Sequence, residues 1–293
     1  MLPKTKTLLA IAAIAIYLAT FYIIKVTKID NHELQVSFLD IGQGDSIYIK
    51  APNGHDMLID GSKTGSVLTK KLSIAMATND KGIDIVLATH PDADHIGGLS
   101  TIIENYNVGT FIEPGVSSES KLYATLLDDV NTKQIPHVYA RTGMHIVLDK
   151  ENNVTFSVLE PDIVTADEDT NDASIVGILS YGDKTFMFTG DAGIPSEEKM
   201  LADVEAKKID SLHVDVLKLG HHGSKTSSSE AFLEAVHPST AIISAGCKNA
   251  YGHPNKEVVD RVYALKILMY ATCTSGTITY YTDGKTLSRE TEK

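Results

Sequence analysis

Between Leu8 and Ile24 the chain runs LLAIAAIAIYLATFYII, with Thr20 as its one polar break and lysines on both sides at 4, 6, 25 and 28. A run without a polar face predicts a helix in lipid rather than one lying on a protein core. At 1.5 Å per residue it reaches about 26 Å, close to the roughly 30 Å of a bilayer's hydrocarbon core. No small-residue cleavage site follows, so the run reads as an anchor and not as a removable signal peptide. The N-terminal amine tips the flanking charge toward a cytoplasmic N-terminus, which predicts a single-pass protein of the cell membrane with an extracytoplasmic domain.

From Leu34 onward the pattern changes. Short β-type runs, LQVSFLD, DSIYI and DMLID, precede a helical stretch from Val67 to Met76 and then IDIVLA. The second half follows suit with SIVGILS, TFMFTG, a helix near 196–207, HVDVLKL, a Ser229-capped helix, AIISAG, a helix after Pro254, and GTITYY. Such alternation predicts an α/β domain. The expected organisation is an anchor and short linker over 1–33, one domain over 34–285, and a polar tail over 286–293. Six acids in Glu160–Asp172 predict a solvated loop.

A weak repeat joins the halves. Asp60 after DMLI and Asp191 after FMFTG are 131 residues apart, as are His90 after DIVLAT and His221 after DVLKLG. The equal offsets suggest two similar halves packed face to face, each presenting an acid and a histidine at strand ends, with a cleft between them.

Composition narrows the function. With 43% hydrophobic and 22% charged residues, the chain is neither collagen-like nor disordered. The net charge is −12, and residues 1–33 hold +2 of it, so the remainder carries −14. That excludes a protein gripping nucleic acid by a basic surface alone; such a substrate would need metal help. Cys247 and Cys273 are too few for a disulfide scaffold, and the sequence leaves open whether they pair.

The densest chemistry is THPDADHIGG, which puts His90, Asp92, Asp94 and His95 within six residues after an apolar strand. Imidazole and carboxylate at that spacing point to Zn, Mn or Fe(II). A helix N-cap accounts for the two acids but not for the histidines. His137 and His145 sit in β-type contexts unlike ligands. Asp40 and Asp45 flank the IGQG turn, where they either line the cleft or serve the turn. Asn171 and Ser174 precede a strand.

This motif after a strand resembles the signature of the metallo-β-lactamase superfamily. FLDIGQGDSIYI, THPDADHIGGL, NDASIVGILSYGDKTFMFTGDAG, LKLGHHGSKTSSS and ISAGCKNAYGHP together resemble the C-terminal hydrolase domain of ComEC-type competence proteins, over about 34–285. The resemblance implies a four-layer αββα sandwich behind the N-terminal transmembrane helix, and one or two divalent ions, Mn or Zn. By that match the metal ligands are His90, Asp92, Asp94, His95, Asp191 as a bridging acid, and His221, with His222 as the alternative to His221. Asp60 orients the site, and Asp94 and His253 act on substrate. Asp92 stands where a histidine is commoner, which enriches the site in carboxylate and favours a harder ion. The implied activity is a metal-dependent phosphodiesterase or nuclease, with single-stranded nucleic acid more credible than duplex. A small-ester, lactone or lactam hydrolase and a non-catalytic metal module are the alternatives. The bilayer is the expected partner of the N-terminal helix.

Overall fold

The computed structural model describes residues 14, 33–76, 80–165 and 169–293. The expected anchor over 8–24 lies outside these residues except for Ile14, and among the described residues no helix is long and apolar enough to cross a membrane.

The first half contributes β1 (Leu34–Phe38), β2 (Ile47–Lys50), β3 (Asp56–Ile59), α1 (Gly65–Ala75), β4 (Gly82–Leu87), α2 (Ala93–Ile96), α3 (Leu99–Asn105), β5 (Asn107–Glu113), α4 (Lys121–Thr132) and β6 (His137–Tyr139). The second contributes β7 (His145–Asp149), β8 (Val154–Glu160), β9 (Val176–Tyr181), β10 (Lys184–Phe188), α5 (Ile194–Glu205), β11 (Val216–Lys218), α6 (Glu230–Val236), β12 (Thr240–Ile243), α7 (Lys256–Ala264) and β13 (Leu268–Ala271). The chain then returns to the first sheet through α8 (Thr272–Ser275), β14 (Ile278–Thr282) and β15 (Leu287–Thr291).

Two sheets result, ordered β15-β14-β1-β2-β3-β4-β5-β6 and β13-β12-β11-β10-β9-β8-β7. The repeat inferred from the offset of 131 reappears as topology. β1–β2–β3 pair antiparallel and β3–β4–β5–β6 parallel; β8–β9–β10 and β10–β11–β12–β13 do the same in the other sheet.

Strand residues alternate between two buried faces, as period 2 requires. Met57 and Ile59 enter the core between the sheets while Leu58 faces the helices; Phe186 and Phe188 face inward while Met187 faces out. Phe38, Phe156, Phe188 and Tyr280 pack ring to ring at 6.0–6.3 Å in that central layer. One outer core packs α1, α3 and α4 on the first sheet; the other packs α5, α6 and α7 on the second. The arrangement is a two-sheet α/β sandwich with helices on both outer faces. Residues 286–293, read from sequence as a polar tail, carry the edge strand β15, whose side chains are mostly exposed.

Parallel strands carry their functional loops at their C-terminal ends. β3, β4, β10 and β11 all stop where the Asp60, His90, Asp191 and His221 motifs begin.

Candidate metal centre

Asp60 follows β3 in a left-handed conformation, φ 60°, and is fully buried. Its Oδ1 accepts from the Thr89 amide at 2.8 Å, and its Oδ2 accepts from the Thr89 hydroxyl and from His95 Nδ1, both at 2.8 Å. Thr89 has one hydroxyl proton, and Asp60 takes it. His90 Nδ1, 3.0 Å from that hydroxyl oxygen, is therefore the donor of the pair, and its Nε2 carries the lone pair. One carboxylate thus sets the orientation of two imidazoles, the role that outer-shell acids play at metal sites. Burial, with His95 beside it, pushes His90 down to about 4, so it is neutral at pH 7.

His95 Nε2 points at Asp191 Oδ1, 3.3 Å away. Asp191 follows β10, where its amide donates to Ser174 Oγ at 3.2 Å. After β11 the sequence GHHG makes a tight turn with His221 at φ 46° and His222 at φ 56°. Two consecutive left-handed residues turn the adjacent imidazoles to different sides. His222 is buried, with Nδ1 donating to the Ser244 carbonyl at 2.8 Å and Nε2 lying 3.3 Å from both Asp94 Oδ2 and Asp191 Oδ2. His221 is 27% exposed, with Nε2 3.8 Å from Asp191 Oδ2.

Asp45 arrives from the β1–β2 loop. Gly44, at φ 113°, passes so close to α2 that a Cβ there would sit 2.0 Å from the Asp94 carbonyl oxygen. Only glycine allows that approach, across which the Asp45 amide donates to the Asp94 carbonyl at 3.3 Å. The Asp45 carboxylate pairs with Lys218 of β11 at 2.6 Å, and both side chains are buried, 1% and 0% exposed.

Asp45, His95, Asp191 and His222 each offer a ligand atom, and these atoms all lie within 4.8 Å of one another. Among the residues expected from sequence, the structure brings His95 and Asp191 into this set. It brings in His222 rather than His221 because the turn aims only the second ring inward. His90 Nε2 stands 3.9 Å from Asp191 Oδ2, the oxygen that His221 Nε2 approaches to 3.8 Å. Asp94 reaches the set through His222. Asp92 occupies the N-cap position of α2 without a capping bond from its side chain, which accepts from Thr170 Oγ1 at 3.0 Å. His137 binds Glu113 and His145 binds Ser157, outside the cluster. Asp40 pairs with Lys293. Lys218 was invisible in an apolar strand sequence, while the GQGD turn was the one signal for Asp45.

The electrostatics call for a cation. Burial alone would raise the Asp191 carboxyl, but His222 and His95 hold it well below the usual range. Asp94 is likewise held low against burial, chiefly by its hydrogen bond to His222. Burial works against charge on His95 and His222 as well, yet the surrounding carboxylates raise both well above 6.5. Asp45 Oδ1, His90 Nε2 and Asp191 Oδ1 are buried and make no well-aligned hydrogen bond among the described residues; the groups next to the two oxygens are His222 Nδ1 at 3.4 Å and His95 Nε2 at 3.3 Å. Two carboxylates and two imidazoles within 4.8 Å, with the His90 lone pair 3.9 Å from Asp191 Oδ2, fit a divalent cation.

The rim carries His253, in the loop after β12. Its ring lies 5.4 Å from that of His221 and 6.3 Å from that of His222, and its Nδ1 is buried without a partner. Cys247 in the same loop forms a disulfide with Cys273 of α8.

Carboxylates and imidazoles converging where two sheets end, inside an α/β sandwich, define a metallohydrolase. The chain belongs to the metallo-beta-lactamase superfamily, whose family model matches residues 39–246. It is similar to ComE operon protein 3 of Bacillus subtilis, 31% identical over 271 residues, covering 85% of this chain and 33% of that protein. It is similar also to Recombination protein 2 of Haemophilus influenzae, 31% identical with 90% and 31% covered, and to the competence protein ComA of Neisseria gonorrhoeae, 29% identical with 90% and 34% covered. The chain therefore spans about a third of the length of these relatives of ComEC type. Among solved structures it resembles Igni18, a metallo hydrolase of Ignicoccus hospitalis, at TM-score 0.54 and 16% identity over 84% of this chain and 98% of that one. That likeness is one of fold. The chain is a metal-dependent hydrolase related to competence proteins.

Proposed function

We propose that this chain is a membrane-anchored, extracytoplasmic phosphodiesterase that cleaves single-stranded DNA or RNA with one or two divalent ions. The observation that carries the reading is the cluster of Asp45, His95, Asp191 and His222, ligand atoms within 4.8 Å, in a chain related to proteins named for competence and recombination. Two carboxylates beside two imidazoles make Mn²⁺ competitive with Zn²⁺. The apolar run 8–24 supports an anchor, and a disulfide supports an oxidising compartment outside the cytoplasm.

Asp45, Asp191, His95 and His222 would hold one ion, and His90, Asp92, Asp191 and His221 are the side chains available to a second. A bound divalent cation supplies Lewis acidity at a phosphoryl oxygen and makes water acidic enough to attack at neutral pH. The protein's own residues do the rest. Asp60 fixes the tautomers of His90 and His95. Asp94, 23% exposed at the open side of the cluster, accepts a hydrogen bond from an incoming water and orients it. His253 donates to the charge developing on the departing oxygen. No serine or cysteine nucleophile is needed: Ser229 is spent on capping α6, its Oγ accepting from the Phe232 amide at 3.2 Å.

The test is cleavage of fluorescent single-stranded DNA and RNA by the full chain in detergent, with EDTA, Mg²⁺, Mn²⁺ or Zn²⁺, beside Asp191→Asn. Metal-dependent cleavage that disappears in the variant supports the reading. Hydrolysis of aryl esters, lactones or a chromogenic lactam with no cleavage of nucleic acid moves the chain to small-ester chemistry.

A further inference from the structure

The loop joining β12 to α7 is built more firmly than a connector requires. The Asn249 side chain makes four hydrogen bonds inside it: Nδ2 donates to the carbonyls of Gly246 at 2.8 Å and His253 at 2.5 Å, and Oδ1 accepts from the amides of Tyr251 at 3.1 Å and His253 at 3.0 Å. The disulfide to Cys273 ties its first turn to α8, and Asn255 Oδ1 accepts from the Lys225 amide at 2.8 Å at its far end. What this frame presents is Tyr251. The residue is 66% exposed, yet its ring is stacked on His253, with centroids 5.8 Å apart and planes 22° apart. Tyr139, by contrast, packs against His137 and Arg141. His253 is the only ring that Tyr251 meets among the described residues, and it stands between Tyr251 and the candidate ligands.

We infer that Tyr251, backed by His253, is a stacking platform for one nucleobase of a single-stranded substrate, next to the phosphodiester at the metal centre. The inference rests on the phosphodiesterase reading and names how that site recognises its substrate. A domain carrying −14 gains little from backbone charge overall, and every base offers a face to an aromatic ring whatever its sequence. Exposed Lys248 belongs to the same loop and exposed Lys225 adjoins its far end through the Asn255 contact, enough for one or two phosphates. Holding the ring rigid in advance lowers the cost of ordering it on binding. Sequence preference is therefore weak, and duplex, whose bases are already stacked, is a poor ligand.

Two readouts on the full chain test this: binding of fluorescent oligo-dT in EDTA by anisotropy, and kcat and KM for its cleavage with Mn²⁺. The variants are Tyr251→Ala, Tyr251→Phe and Tyr251→Trp, each checked for an unchanged melting temperature. Tyr251→Ala is expected to weaken binding and raise KM by about 5- to 150-fold, the worth of one stacked base, with kcat changing much less. Tyr251→Phe and Tyr251→Trp should keep wild-type values, and the salt slope of binding should be shallower than about −1.4, the mark of two phosphate contacts. A stable abasic residue walked along the strand should reproduce the loss at one position in wild type and at none in Tyr251→Ala. Wild-type binding and KM in Tyr251→Ala, or a loss in Tyr251→Phe equal to that in Tyr251→Ala, overturns the platform while leaving the nuclease reading intact. A wild type that neither binds nor cleaves single strands overturns both.

Discussion

Replacing Lys218 by methionine isolates the least expected contact in the molecule. Lys218 lies in β11 with no solvent exposure, its ammonium 2.6 Å from Asp45 Oδ2 and donating to the Leu219 carbonyl at 2.9 Å. Methionine keeps the volume and removes the charge. Asp45 is then a buried carboxylate that keeps only the longer pairing of its Oδ1 with His222 Nδ1, at 3.4 Å. Taking one partner from a buried ion pair costs about 3–5 kcal/mol. At about 2 °C per kcal/mol for a domain of this size, the metal-free protein should melt roughly 6–10 °C lower. The assay is thermal unfolding of the full chain at pH 7 in EDTA, repeated with saturating Mn²⁺. Combining the change with Asp45→Asn removes the stranded charge, so the double variant should recover more than about half of the loss. Adding Mn²⁺ should raise Lys218→Met by more degrees than wild type, because a cation beside Asp45 replaces the missing ammonium. A melting temperature within about 2 °C of wild type in EDTA, or a double variant as unstable as the single one, would mean that Lys218 does not neutralise Asp45 in the fold.

Other expectations follow from the same geometry. Asp60→Asn frees His90 and His95 to rotate, and metal affinity should fall about 10- to 100-fold in equilibrium dialysis; an unchanged affinity would deny Asp60 its orienting role. In the metal-free protein the nearby carboxylates keep His95 and His222 protonated at neutral pH, so loading Mn²⁺ must expel protons and affinity must rise with pH; calorimetry in buffers of different ionisation heat reads this, and heats independent of buffer would contradict it. His90 works in the other sense. Its folded value of about 4 lies below the unfolded 6.5, so the contribution of its neutral burial, about 3 kcal/mol, is present above pH 6.5 and is lost as pH falls toward 4, visible in acid unfolding of wild type against His90→Gln. Reducing Cys247–Cys273 opens a 26-residue separation and should cost about 3–4 kcal/mol on denaturant titration; equal midpoints with and without reductant would sink that figure.

Much of this was legible in the chain. The β-strand runs and the offset of 131 carry the duplicated topology because strands buried on both faces write themselves as short apolar runs, and because each half ends its strands on chemistry. THPDADHIGG marked its site because two histidines and two acids crowded after one apolar strand exceed what a turn or a helix cap uses. Less visible were contacts that depend on how separate loops meet. Nothing local distinguishes His222 from His221; the choice is made by two left-handed residues in succession and by the Ser244 carbonyl, 22 residues away. Lys218 reads as one polar residue in an apolar strand until Asp45, 173 positions earlier, is folded against it. The edge strand β15 escaped notice because an exposed strand has no apolar face to give it away.

Whether Asp45, His95, Asp191 and His222 hold a divalent ion is read most directly from the Mn²⁺ content of the purified full chain after dialysis. Plasma mass spectrometry would compare wild type, Asp191→Asn, His222→Ala and His221→Ala. At least one ion per chain is expected in wild type, with loss in Asp191→Asn and His222→Ala and a smaller deficit in His221→Ala. Wild type without a bound ion, or Asp191→Asn and His222→Ala that retain it in full, would contradict the assignment of these four side chains as ligands.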